Sequence, residues 1–254
     1  AQFKDSVTGQ VSHSSPTSWL RTAIVNGFTG TSANLQATTL CLLDNTGAKK
    51  DCASITWGNT NYGTNTASNS GTATIKATSS YTVGGYAIYN NDSTPAQLFS
   101  STISTTYSVV TNQQVTVNAT ISASQSSSSF SSSAGGTASI NVSNLLGDII
   151  DLLTRGLSSD PPGSYTNDAK YLVPYSLTFY SGTTYSASGS TQVYSQGALG
   201  PGNVTADTTN FKDTITVSIA PANAFTFQSC YLALGSGSFV RNLDIGVENI
   251  STAQ

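Results

Sequence analysis

Methionine is absent from this 254-residue chain, histidine and glutamate occur once each (His13 and Glu248), and charged residues make up only 8% of it. So little His, Glu and Cys leaves almost nothing from which a general acid, a general base or an activated nucleophile could be made, and the sequence argues against an enzyme. His13 does have Ser12, Ser14 and Ser15 beside it, but a hydroxyl next to an imidazole along the chain does not make a triad. Nor does anything single out one pair of carboxylates for glycoside hydrolysis. Nine Lys and Arg against twelve Asp and Glu give a net charge of -3. No basic run exists to neutralise phosphates, which excludes a nucleic-acid partner. No apolar stretch approaches the roughly 20 residues of a membrane-spanning helix.

What the chain has instead is hydroxyls. Serine and threonine supply roughly three residues in ten, where ordinary domains rely on about 25% charged residues for a polar surface. With 37% hydrophobic residues, twelve Tyr and nine Phe, the composition is that of folded strands rather than of a disordered tract. Period-two alternation recurs along most of the length, most clearly at Val115-Thr116-Val117-Asn118-Ala119-Thr120-Ile121-Ser122-Ala123, a half-buried strand. A related run, Ile215 to Ile219, also follows a Thr-Asn turn and hints at duplication. Further strands are expected at 20–28, 34–43, 52–57, 71–77, 81–89, 98–110, 137–142, 171–180, 183–194, 224–234 and 239–247. Many short strands with turn signals between them predict an all-β protein, an Ig-like or jelly-roll-type β-sandwich. The exception is 124–163, where a Ser-rich loop precedes Leu145 to Leu153 at helical spacing. One short helix is therefore expected, capping an end of the sandwich.

The chain begins at Ala1 with no initiator Met, the pattern of an exported chain with its leader removed. Extracellular localisation fits the five N-glycosylation sequons at Asn91, Asn118, Asn141, Asn203 and Asn249. Cys41 and Cys52 flank a hairpin turning near Asn45 to Gly47. That turn sets the two cysteines opposite each other and predicts a disulfide, leaving Cys230 as a buried free thiol. N-linked glycans are the expected attachments and no cofactor is called for. Asp148 with Asp151, or Asp160 with Asp168, could offer oxygens to a structural calcium, but no EF-hand spacing is present. Tyr175, Tyr180, Tyr185 and Tyr194 could line a glycan-binding face, although tyrosines on strands commonly serve packing.

The N-terminus stands apart. Ala1, Phe3, Val7, Gly9 and Val11 alternate with polar residues, Asp5 being the misfit, and Ser12 to Ser18 reads as a Pro-containing linker. The division expected is 1–18 as a donor strand with its linker and 19–254 as the sandwich head. A tethered apolar-faced strand can pair with its own sheet or complete a neighbour's, with Ala1, Phe3, Val7 and Val11 filling successive pockets. A heterologous contact of that kind, repeated without ring closure, makes a filament.

In its processed start, strand-like arm, linker, sequons and Ser/Thr-rich strands the chain resembles archaeal extracellular filament subunits assembled by donor-strand complementation: threads, bundling pili and cannula-type proteins. The resemblance implies a sandwich head that receives a neighbour's N-terminal strand, identical subunits as partners in a homopolymer, and contacts with cell surfaces or other filaments. A monomeric adhesin or carbohydrate-binding module, and a viral capsid or fibre protein, are the alternative readings of the same features.

Overall fold

A computed structural model describes residues 1–125, 129–131, 137–159, 163–182, 190–223, 225–235, 246–247 and 252–253. Among the described residues strand is by far the dominant secondary structure. The first ten strands are β1 (Gln2–Asp5), β2 (Val11–His13), β3 (Ala37–Asp44), β4 (Lys49–Ser54), β5 (Thr56–Trp57), β6 (Asn61–Gly63), β7 (Thr66–Lys76), β8 (Tyr81–Asn90), β9 (Gln97–Val109) and β10 (Gln114–Ser124). They form two antiparallel sheets, ordered β2-β1-β10-β7-β5 and β4-β3-β8-β9, with β6 also paired to β7.

The alternation read in the sequence decides which face each strand turns inward. Val115, Val117, Ala119 and Ile121 of β10 and Ala73 and Ile75 of β7 are buried, and they meet Leu40, Leu42, Tyr86, Ile88 and Leu98 from the other sheet in one continuous core. The intervening residues of β7 and β10 carry hydroxyls and amides that pair across the strands: Ser70 with Thr120 at 2.8 Å, Thr72 with Asn118 at 2.8 Å and Thr74 with Thr116 at 3.1 Å. The chain closes one side of the sandwich where β4 passes into β5. There the Ile55 N–H donates to Thr38 O at 2.8 Å, and the Trp57 indole N–H donates to Ala37 O at 2.6 Å.

Among the described residues two α-helices form where one was expected. The segment 20–28, expected as a strand, is α1 (Ser18–Phe28). Its β-branched residues suit a strand by propensity, but Thr17 caps the helix by accepting from the Leu20 N–H, and Leu20, Ala23 and Phe28 turn into the core at helical spacing. Residues 12–18 are likewise no free linker. Ser12 and His13 belong to β2, the Thr17 N–H donates to Leu98 O at 3.0 Å, and Pro16 bridges Phe99. The expected helix is α2 (Ser143–Leu153), with Leu146, Ile150, Leu152 and Leu153 in the core beside β7 and β10. Asp151 accepts from the Tyr62 hydroxyl at 2.8 Å, from Thr60 and from Arg155 at 3.0 Å, fastening the helix to the loop before β6 and to β6 itself.

Beyond α2, Pro174–Tyr180 is the middle strand of a sheet with Gln192–Gln196 and Ser229–Leu234, and Val204–Asp207 pairs with Lys212–Ile215. Leu232 and Leu234 join the main core, while Phe179, Phe227 and Cys230 make a second, smaller cluster. The suggested duplication finds no counterpart here. The strand containing Ile215 stops at that residue in a two-stranded hairpin, whereas 115–123 lies in the middle of a sheet.

Candidate functional site

The N-terminal arm folds as a β-hairpin and closes the side of the sandwich opposite the β4-to-β5 crossing. β1 pairs with β10 in the register Gln2 to Thr120, Phe3 to Ala119, Lys4 to Asn118 and Asp5 to Val117. β2 returns along β1 and lies against β9 of the other sheet, where Ser12 and Ser101 hydroxyls meet at 2.8 Å. Gln10 adds a clamp on the same strand: its amide N–H donates to Thr105 O at 2.7 Å and its Oε1 accepts from the Thr105 N–H at 2.9 Å.

The inward phase of the arm differs from the sequence reading. Phe3 is completely buried and its ring lies 5.7 Å from that of Tyr86. Ala1 is half-buried against the core. Val7 and Val11, expected in successive pockets, are 42% and 46% exposed. The cause is the turn at 6–10, which Gly9 makes possible with φ +68° and which breaks the period of two. Past the turn the phase is reversed, so Ser12 faces inward and Val11 outward.

Asp5, the apparent misfit, holds the hairpin together. Its carboxylate accepts from the Val7 N–H at 2.9 Å, the Thr8 N–H at 2.6 Å, the Thr8 hydroxyl at 2.8 Å and the Tyr86 hydroxyl at 2.9 Å. Burial pushes its pKa up, but these bonds, Thr8 foremost, more than offset that and hold it below the usual carboxylate value. The Tyr86 hydroxyl is raised far above the ordinary tyrosine value by burial, with the Tyr107 hydroxyl at 3.3 Å and the Asp5 charge adding to the effect. Tyr107 is pushed up to about 12 by burial. Parity alone could not find this site, but an Asp followed three residues later by Thr and then Gly is a turn signature.

The remaining expected sites scatter. Cys41 and Cys52 form the disulfide, facing each other across β3 and β4, and Cys230 is a buried free thiol whose pKa burial raises to about 12. Asn91 and Asn118 are exposed, and Asn118 stands on the outer face between Lys4 and Thr72. Asn203 is engaged inside its loop, its amide N–H donating to Thr216 O at 3.0 Å and its Oδ1 accepting from the Gly200 N–H at 3.0 Å. Asn141 lies on the backbone of Thr137–Asn141, and Asn249 lies outside the described residues, as do Asp160 and Tyr185. Tyr180 stacks on Tyr231, whereas Tyr194 stacks on Phe225 beside Phe179. Phe179 and Tyr180 are consecutive strand residues, so these tyrosines serve opposite faces and do not make one surface. Among the described residues no group of three or more His, Cys, Asp or Glu is arranged to hold a metal, and no helix is long and apolar enough to cross a membrane.

Comparison with protein-family models, curated proteins and solved structures found no match.

Proposed function

We propose that the chain is a structural subunit of an extracellular filament, joined head to tail by exchange of the N-terminal hairpin between neighbours. The observation that carries this reading is the seat of the arm. The fully buried Phe3 sits on β1, which with β2 forms the outer hairpin of its sheet, and among the described residues nothing else closes the two sheets on that side. Within a single chain the arm occupies its own seat. In the filament the same seat takes the arm of the next copy, with the same main-chain ladder on β10 and the same pocket for Phe3. Asp5 and Gln10 supply the register, because their bonds to Tyr86 and Thr105 form at one position only.

The register gives a direct test. Lys4 and Asn118 are opposite residues on the outer face, so Lys4→Cys with Asn118→Cys should crosslink under oxidation. Exchanged arms yield a ladder of covalent oligomers on a denaturing gel. A single band of monomer from material at high concentration, internally crosslinked, would overturn the proposal.

A further inference from the structure

Outside the arm and its seat, one polar cleft has both a built floor and unused recognition groups. Between α1 and β3 the chain runs antiparallel to residues 167–169: the Leu35 N–H donates to Asn167 O at 2.9 Å and the Ala169 N–H donates to Ala33 O at 2.9 Å. Over this short ladder lies a cleft of about 290 Å³, lined by Ser32, Asn34, Tyr165, Thr166, Asn167 and Asp168.

Its only ionised lining group is already neutralised. Asp168 Oδ1 accepts from the Ala33 N–H and the Lys170 N–H, each at 3.1 Å, while Oδ2 accepts from the Ser32 hydroxyl at 2.7 Å and pairs with Lys170 at 3.2 Å. These bonds hold the carboxylate below the ordinary value against the opposing effect of burial. A cation would have to displace this set, and an anion would find no free positive charge among the lining residues.

The unused groups are neutral and complementary. Asn34 spends its side-chain oxygen on the Gln36 N–H at 3.0 Å, which leaves its amide N–H₂ as donor. Asn167 spends its amide nitrogen on Leu152 O at 2.6 Å, which leaves its Oδ1 as acceptor. Both amides are fixed by the bonds they do make, so they are preorganised. Tyr165 is 66% exposed at the rim. A large aromatic left in water beside oriented amides has the makings of a site for a ligand with one apolar face and several hydroxyls.

We infer that this cleft binds a neutral saccharide, its pyranose hydroxyls bonded to Asn34 and Asn167 and its C–H face laid on Tyr165. The inference does not rest on the filament reading. Two sources carry this chemistry: polysaccharide from the surroundings, and glycans borne by another copy of the chain.

The test is calorimetric and saturation-transfer titration of the full-length, unglycosylated chain with cellotetraose, mannotriose, isomaltotriose and chitotriose. At least one should bind with Kd below about 5 mM, and Tyr165→Ala and Asn167→Ala should each weaken it by about tenfold. Tyr175→Ala, at an exposed tyrosine elsewhere, should leave binding unchanged. Failure of all four probes to bind below about 5 mM, or binding kept within twofold in either variant, would sink the inference. The source is read from glycosylated material by light scattering. Tyr165→Ala reduces self-association if neighbouring copies carry the ligand, and leaves it alone if the saccharide is external.

Discussion

Phe3 and Asp5 divide the work of holding the arm between contact and charge. Phe3→Ala removes a wholly buried ring from a pocket formed between two sheets. The expected cost is about 3 to 5 kcal/mol, measured as a shift in the urea midpoint at constant m-value. Asp5 acts through pH. Its folded pKa lies below the unfolded value of 3.8, so its contribution is complete above that value and is lost as pH falls through the folded one. Amide exchange at Phe3 and Lys4 should therefore accelerate in acid below about pH 4 relative to β7 amides, while Asp5→Asn should leave the arm already loosened at pH 7 and remove the dependence. At this scale the sequence was half legible. Alternation identified Phe3, but polarity marked Asp5 as a fault because parity has no means of showing that four donors converge on it.

Elements were read best where one face is wet. β8, β9 and β10 fall within a residue or so of the alternating segments, and α2 within two residues of its helical pattern. α1 replaces the strand expected at 20–28: Thr22, Ile24 and Val25 favour a strand locally, and what overrides them is a core contact with no trace in the local pattern. The arm's outer half failed for a related reason: one turn at Gly9 reverses the phase, and a strict count of odd and even positions carries across it. The turn and the disulfide of the hairpin β3–β4 were legible from Cys41, Cys52 and the residues between them, but its strands run 37–44 and 49–54 rather than 34–43 and 52–57. Reduction of that disulfide, which closes a sequence separation of 11, should cost about 3 kcal/mol. For a chain of this size that lowers Tm by about 6 to 12 °C, as calorimetry with and without a phosphine reductant would show.

Across the whole molecule the two sheets are shut on one side by a covalent crossing at Ile55 and on the other by a hairpin held with hydrogen bonds and one ring. A chain lacking residues 1–13 should keep its far-ultraviolet circular dichroism yet unfold at lower urea and form no fibres, because the exposed edge of β10 then has no donor of its own. The composition, legible from the outset, foretold the β architecture and the polar outer face. It did not reveal that the arm spans both sheets, with β1 paired to β10 and β2 lying against β9.

The hydroxyl rungs between β7 and β10 carry a further consequence for the medium in which the protein can work. Their cohesion comes from dipoles a few ångströms apart rather than from ions, and counter-ions neither screen nor compete for such bonds. Thermal stability should therefore change by less than about 2 °C between 0.05 and 1 M sodium chloride, a range over which the Debye length shrinks severalfold. A brine, a mineral spring and fresh water would be nearly the same solvent to this surface.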